Sequence, residues 1–112
     1  MSKITAEDIV MNLVCNGGDC RSKAMEAIRE ARMGNYDTAE ELLKAAQESM
    51  HAAHEFQTEL LQADMRADEE GTEPTPISLI MVHGQDHLMD AMVVYDLATE
   101  LIEMYKLIRP KA

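Results

Sequence analysis

The chain has 112 residues and a formal net charge of −11, with ten methionines, a single phenylalanine and no tryptophan. This length allows one domain with a modest core. The negative charge disfavours binding to nucleic acids and to anionic membrane surfaces, because both need a basic surface on the protein. The scarcity of aromatic residues leaves aliphatic side chains and methionines to fill the interior. Such a chain gains by burying further surface in an oligomer.

The two cysteines, Cys15 and Cys20, form no CxxC pair and lie five residues apart, on different faces of a helix. We therefore expect no disulfide between them. The amino-terminal residues 1–6 lack the apolar core of a signal peptide, and no apolar run is long enough to cross a membrane. These features predict a reduced, cytoplasmic setting without membrane insertion.

The first predicted helix covers about residues 5–33, with Thr5 as its N-cap. Apolar residues at helical spacing lie on both sides of Asn16-Gly17-Gly18. Because a glycine costs about 1 kcal/mol inside a helix, we expect a kink or break there, at a point where another backbone comes close. Two separate helices joined by a loop are the alternative. Gly34 is suited to end the helix.

The second predicted helix covers about residues 38–67, with Asp37 at its cap. Its length is typical of helical bundles. Two polar residues, His54 and Gln57, lie on or beside its apolar stripe. We expect both to be interior groups that form hydrogen bonds to a neighbouring helix.

The third predicted helix covers about residues 76–108, with Thr75 as N-cap and Pro76 in the first turn. It carries two apolar stripes. One consists of Ile77, Met81, Gly84, Leu88, Ala91, Tyr95, Ala98 and Ile102, and the other of Val82, Asp86, Met89, Val93 and Leu97. One stripe can face the first two helices, and the second needs another protein chain. The sequence therefore predicts a single all-α domain, residues 1–112, formed by an antiparallel three-helix bundle that assembles into an oligomer.

Asp86 interrupts the second apolar stripe. An ionised carboxylate costs several kcal/mol in an apolar interface unless it is paired or bound to a metal. If copies of this helix meet at a symmetry axis, their carboxylates converge, and a shared magnesium or calcium ion would relieve the repulsion. Shared protonation, or exposure of the carboxylate at a gap in the interface, are the alternatives.

His83 and His87 flank Asp86 and lie four residues apart, one above the other on the helix surface. A single histidine on a half-buried helix is usually a hydrogen-bonded structural residue, but two beside an unexplained aspartate favour a functional site. An imidazole with its ordinary pKa of about 6.5 is largely neutral at cellular pH and can attack phosphorus. One exposed histidine suffices for a phosphoryl carrier, whereas a hydrolase also needs a positioned water and a base.

The stretch Met81-Val82-His83-Gly84-Gln85-Asp86-His87-Leu88-Met89 resembles the signature helix of one protein family. This family is the enzyme IIA component of the lactose/cellobiose family of the bacterial sugar phosphotransferase system. Gly18-Asp19-Cys20-Arg21-Ser22-Lys23 and Ala53-His54-Glu55-Phe56-Gln57-Thr58 resemble the family's first and second helices. The similarity runs from about Ile9 to Tyr105. Cys20 departs from the family's usual alanine.

The resemblance implies a homotrimer built as a nine-helix bundle. It implies that His83 accepts a phosphoryl group on Nε2 from the histidine-containing phosphocarrier protein and passes it to a cysteine of a sugar-specific IIB component. It also implies that Asp86 binds one divalent metal ion per trimer, expected to be Mg²⁺, on the trimer axis. His87 then supports the phosphorylation site. The sugar stays open among lactose, cellobiose, chitobiose and other β-glucosides.

Two other classes of function stay open on the sequence. In the first, His83, Asp86 and His87 together hold zinc or iron in a metal-binding helical bundle, which their spacing permits. In the second, the chain is a helical adaptor whose polar residues only fix the register of an oligomer.

Overall fold

The computed structural model describes residues 4–112 and shows an all-α bundle of three helices that run up, down and up. The first helix comprises Ala6–Ile9, a π-helical stretch Val10–Cys15 and Asn16–Arg32; the second is Tyr36–Glu70 and the third is Leu79–Ile108. The bundle is elongated, about 59 × 23 × 20 Å. The predicted fold class is confirmed. Residues 1–3, which belong to the predicted domain and to its amino-terminal segment, lie outside the described residues.

The first helix begins with a capping box. The Thr5 backbone N–H donates to Asp8 Oδ2 (2.9 Å), and the Asp8 N–H donates to Thr5 Oγ1 (3.1 Å), so the predicted cap is confirmed. The predicted break at the glycines is wrong, because the helix passes through them with regular α-helical geometry. The irregularity is the π-helical stretch just before them, where the side-chain amides of Asn12 and Asn16 donate to the backbone oxygens four residues earlier.

The second helix begins earlier than predicted, at Tyr36, with Asn35 rather than Asp37 in the cap position. A tertiary contact explains the difference. The buried Tyr36 hydroxyl lies 2.9 Å from the backbone oxygen of Tyr105 and 2.6 Å from that of Arg109, at the end of the third helix. This contact draws Tyr36 into the first turn.

The third helix begins at Leu79, three residues later than the predicted start at residue 76. The Thr75 N–H donates to the Asp64 carboxylate (2.9 Å), which ties the loop to the second helix. Ser78 takes the capping role instead, with its hydroxyl accepting from the Met81 N–H (3.2 Å). The second helix also ends late, at Glu70, before a left-handed Gly71.

The core is built mainly from small side chains, which let the helices approach closely. Its fully buried alanines are Ala24, Ala27, Ala31, Ala39, Ala46, Ala53, Ala91 and Ala98. The expectation that methionines fill the interior holds only in part. Met81 is buried and Met50 and Met92 pack against the core, whereas five methionines are exposed, namely Met11, Met33, Met65, Met89 and Met104. Within residues 4–112, no helix combines the length and apolar character needed to cross a membrane.

Both cysteines are free thiols, Cys15 exposed and Cys20 fully buried beneath the third helix. Burial, with a smaller contribution from Asp19, raises the pKa of Cys20 to about 11 from an ordinary 9.0. This shift reduces the thiolate fraction about 100-fold at neutral pH, since each pKa unit is a factor of ten. We expect iodoacetamide to modify Cys15 in the folded protein and Cys20 only after unfolding, as read by peptide mass mapping. Equal modification of both thiols in the native protein would contradict this packing.

Candidate functional site

The two histidines of the third helix form a pair on its surface. The His83 and His87 ring centroids lie 4.3 Å apart with an interplanar angle of 60°. His83 is exposed and His87 is half-buried. Sequence spacing predicted this juxtaposition, and the exposure leaves the His83 ring reachable by another protein.

A hydrogen bond to the backbone fixes the orientation of the His87 ring. Its Nδ1 lies 3.0 Å from the backbone oxygen of His83. Because a carbonyl oxygen only accepts hydrogen bonds, Nδ1 of His87 carries the proton. In the neutral ring, Nε2 is then free of a proton and acts as an acceptor; in the charged ring it becomes a second donor.

The first helix comes very close to the third helix at His87. A β-carbon placed on Gly17 would lie 2.9 Å from both the backbone carbon and the backbone oxygen of His87, closer than real β-carbons come. The neighbouring Gly18 faces the ring itself, and a β-carbon there would lie 3.8 Å from Cδ2 of His87, an ordinary contact. The expectation that another backbone approaches these glycines is therefore confirmed.

A polar group anchors this part of the first helix to the second helix. Ser49 Oγ donates to Asp19 Oδ2 (2.5 Å), and Lys23 Nζ lies 2.8 Å from the same oxygen. Hydrogen bonds from Lys23, which has the larger effect, and from Ser49 lower the pKa of the Asp19 carboxyl. The sequence did not indicate this polar cluster, because Asp19 and Ser49 lie on different helices and neither interrupts an apolar stripe.

Gln57 forms the interhelical hydrogen bond expected of it, but His54 does not. Gln57 Nε2 donates to Gln85 Oε1 of the third helix (2.7 Å). His54 is exposed, so the prediction that it is an interior residue is wrong within one chain. Gln85 received no role from the sequence, although it lies inside the histidine segment; its partner across the bundle is what defines its position.

The second apolar stripe of the third helix is uncovered. Four of its residues are between 44% and 56% exposed, namely Val82, Met89, Val93 and Leu97. Asp86 lies among them, also exposed, and forms no ion pair with any of residues 4–112. The other stripe packs inward through Met81, Gly84, Leu88, Ala91, Ala98 and Ile102, as predicted, whereas its first residue, Ile77, is exposed.

The spacing of His83, Asp86 and His87 does not produce a three-ligand metal site. In the described part of the chain, no three His, Cys, Asp or Glu side chains are grouped so that they could hold one ion. The alternative in which these three residues hold zinc or iron thus has no geometric support within one chain.

The exposed His83, with the half-buried His87 beside it, lies next to an uncovered apolar face of the third helix in this helical bundle. Residues 8–106 match the family described as "PTS system, Lactose/Cellobiose specific IIA subunit". The chain is similar to the lichenan-specific phosphotransferase enzyme IIA component of Bacillus subtilis, with 46% identity over 100 residues, 89% of this chain and 86% of the relative.

Two solved structures agree with this match. One is the crystal structure of the PTS cellobiose-specific enzyme IIA from Bacillus anthracis (42% identity, TM-score 0.81), which covers 96% of this chain and 94% of that one. The other is the IIA(chitobiose)–HPr complex of Escherichia coli (34% identity, TM-score 0.76), which covers 95% of this chain and 98% of that one. The chain belongs to the lactose/cellobiose-specific IIA family of the phosphotransferase system and acts as a phosphoryl carrier in sugar uptake.

Proposed function

We propose that His83 is the phosphoryl carrier of this protein. It accepts the group on Nε2 from the histidine-containing phosphocarrier protein, HPr, and passes it to the cysteine of a sugar-specific IIB component. The observation that carries this proposal is the exposed His83 ring, 4.3 Å from the backbone-bonded His87 ring. The related chitobiose protein forms a complex with HPr, which supports HPr as the donor.

Each transfer requires one bond to form and one to break. The lone pair of His83 Nε2 forms the new N–P bond while the bond between phosphorus and the donor imidazole breaks, and that electron pair returns to the donor nitrogen. In the second step the IIB thiolate forms an S–P bond, and the N–P electron pair returns to His83. Phosphoryl transfer depends mainly on positioning and charge stabilisation by the protein. An exposed ring held on a long helix supplies the positioning.

His87 supports the carrier through charge. A phosphoryl group on His83 brings negative charge close to the His87 ring. When that ring is protonated, its Nε2–H can donate to a phosphoryl oxygen. The Nδ1 bond to the His83 backbone keeps the ring in place in both charge states.

We propose that the uncovered stripe of the third helix is the contact between three copies of the chain. The exposed apolar residues continue to the end of the helix, through Met104 and Ile108. A monomer rarely leaves a continuous apolar face of this length in water. Joining three such helices would bury the stripe of each copy and place His83 at its edge.

Asp86 would then lie in the contact between copies, and its carboxylate fits a divalent metal ion. One chain offers a single carboxylate at this point, and three copies would offer three, whose hard oxygen atoms suit Mg²⁺ together with bound water. The ion would neutralise the converging charges. The role of Asp86 is structural in this proposal and lies outside the transfer steps.

For Asp86→Leu we expect a folded trimer without bound metal and with unchanged or higher stability. Apolar replacement of buried charges is often neutral or stabilising by about 1–4 kcal/mol. Metal analysis, sedimentation equilibrium and thermal unfolding measure the three properties. Dissociation of the variant into monomers would show that the metal is needed to hold the assembly together.

The test of the proposed function is incubation with phosphoenolpyruvate and the general phosphotransferase proteins. We expect the chain to gain phosphate that is labile in acid and stable in base, as phosphohistidine is. Absence of phosphate, or a phosphate stable in acid, would overturn the proposal and favour the adaptor.

A further inference from the structure

The contact between Gly17 and the backbone of His87 has a consequence for the site. A β-carbon on Gly17 would meet main-chain atoms at 2.9 Å, and main-chain atoms cannot move aside as the end of a flexible side chain can. Any residue other than glycine would therefore force the two helices apart at the height of His87. Glycine is required here for the approach of the third helix and not for backbone conformation, since Gly17 lies inside a regular helix.

The first helix is poorly able to yield at this point. Two residues beyond Gly17, Asp19 is bonded to Ser49 of the second helix and to Lys23. Just below, the β-carbon position of Gly84 lies 3.0 Å from side-chain atoms of Ile9 and Leu13, so the same two helices are in tight contact there as well. An added side chain at Gly17 would thus displace the third helix at His87.

We propose that Gly17 is a positioning residue for the phosphoryl carrier. By leaving no side chain, it lets the main chain of His87 lie against the first helix, and this contact fixes the His87 ring beside His83. The inference rests on the proposed function of His83. Displacement of the His87 backbone would disturb both the Nδ1 bond to the His83 backbone and the spacing of the two rings.

The test compares Gly17→Ala with Gly18→Ala. Both replace a glycine in the same turn with the better helix former, and only the first creates a contact shorter than 3.0 Å. We expect Gly17→Ala to lower the rate of phosphorylation at saturating phosphorylated HPr about 10- to 100-fold, the effect of a small misplacement of reacting groups. The KM for HPr should stay within about 2-fold, because Gly17 is buried and its substitution alters no exposed side chain, and Gly18→Ala should match the wild type in both constants. Equal rates for Gly17→Ala and the wild type would overturn the inference.

A double-mutant cycle separates positioning from general destabilisation. If Gly17 acts through the His87 ring, Gly17→Ala should change the rate less than about 2-fold in a His87→Gln background, whereas independent effects would multiply. Multiplication of the two effects would overturn the inference.

Histidine NMR on the unphosphorylated protein gives a readout that does not depend on transfer. We expect the Nδ1–H tautomer of His87 in the wild type and in Gly18→Ala, and a mixture of tautomers in Gly17→Ala. An unchanged tautomer in Gly17→Ala would contradict positioning even if the protein were never phosphorylated. If the proposed function is wrong, the wild-type protein would instead gain no phosphate on incubation with phosphoenolpyruvate and the general phosphotransferase proteins.

If Gly17→Ala alone does not fold, the Gly17→Ala/Gly18→Ala double variant provides a more helical background for the same contact. Failure of both to fold would show that the bundle itself requires the contact, and would overturn a positioning role.

Discussion

His83→Gln is expected to abolish phosphorylation of the chain by phosphorylated HPr while leaving the bundle and its assembly intact. Glutamine has no nitrogen with an available lone pair, so no N–P bond can form. The exposed position of His83 means that its replacement removes no core packing. Phosphate incorporation measured by intact mass should fall below detection, and circular dichroism and sedimentation should match the wild type.

The matched control for this variant is His54→Gln. His54 is another exposed histidine, on the second helix, with no ring partner among residues 4–112. We expect His54→Gln to become phosphorylated at the wild-type rate. Labelling of His83→Gln, or loss of labelling in His54→Gln, would show that His83 is not the acceptor.

Leu97→Asp is expected to convert the assembly into monomers. Each copy would lose the burial of one leucine, about 1.5–3 kcal/mol, and would gain a carboxylate whose burial costs several kcal/mol more. Because the substitution is present in every copy of the assembly, each copy loses this free energy of association. Sedimentation equilibrium should give the mass of one chain, and the monomer should stay helical because Leu97 is outside the core.

Leu61→Asp is the matched control. Leu61 is 57% exposed on the second helix and Leu97 is 56% exposed on the third, so the two substitutions are equivalent within one chain. Only Leu97 lies on the stripe that we assign to the contact between copies. A trimeric Leu97→Asp variant, or dissociation caused by Leu61→Asp alone, would place the contact elsewhere.

The stripe already contains one aspartate, and Leu97→Asp would add a second. Asp86, Leu97 and Ile108 follow one another at intervals of 11 residues, which is close to three helical turns and keeps them on one side of the helix. Leu97→Asp would therefore place a second carboxylate on the same side of the helix as Asp86, three turns further along. There it would face apolar neighbours such as Val93 and Met104.

The sequence predicted the elements that depend on local interactions. The Thr5 capping box and the juxtaposition of His83 and His87 need only residues three or four positions apart. The two stripes of the third helix likewise follow from periodicity. Its uncovered stripe includes Val93 and Leu97 as predicted.

The incorrect starts of the second and third helices both involve contacts between distant residues. The second helix starts at Tyr36 because of a hydroxyl bond to the far end of the chain, and the third starts late because Thr75 is tied to Asp64. The Ser49–Asp19 bond could not be read from spacing either. Propensity and capping rules rank the candidate caps, and tertiary contacts decide among them.

In the candidate site too, the sequence predicted the local features and did not predict the contacts between helices. The juxtaposition of His83 and His87 follows from helix spacing, whereas the packing around it follows from the approach of the first helix at Gly17 and from the Gln57–Gln85 bond. The sequence indicated that a backbone approaches the glycines, but it could not show that the approaching backbone belongs to His87.

The most direct test of the central claim is to locate the phosphate in the wild-type protein. After incubation with phosphoenolpyruvate and the general phosphotransferase proteins, peptide mass mapping under basic conditions should find one phosphoryl group on the peptide that contains His83, and histidine NMR should place it on Nε2. Phosphate on the peptide that contains His51 and His54, or on any residue other than His83, would contradict the account.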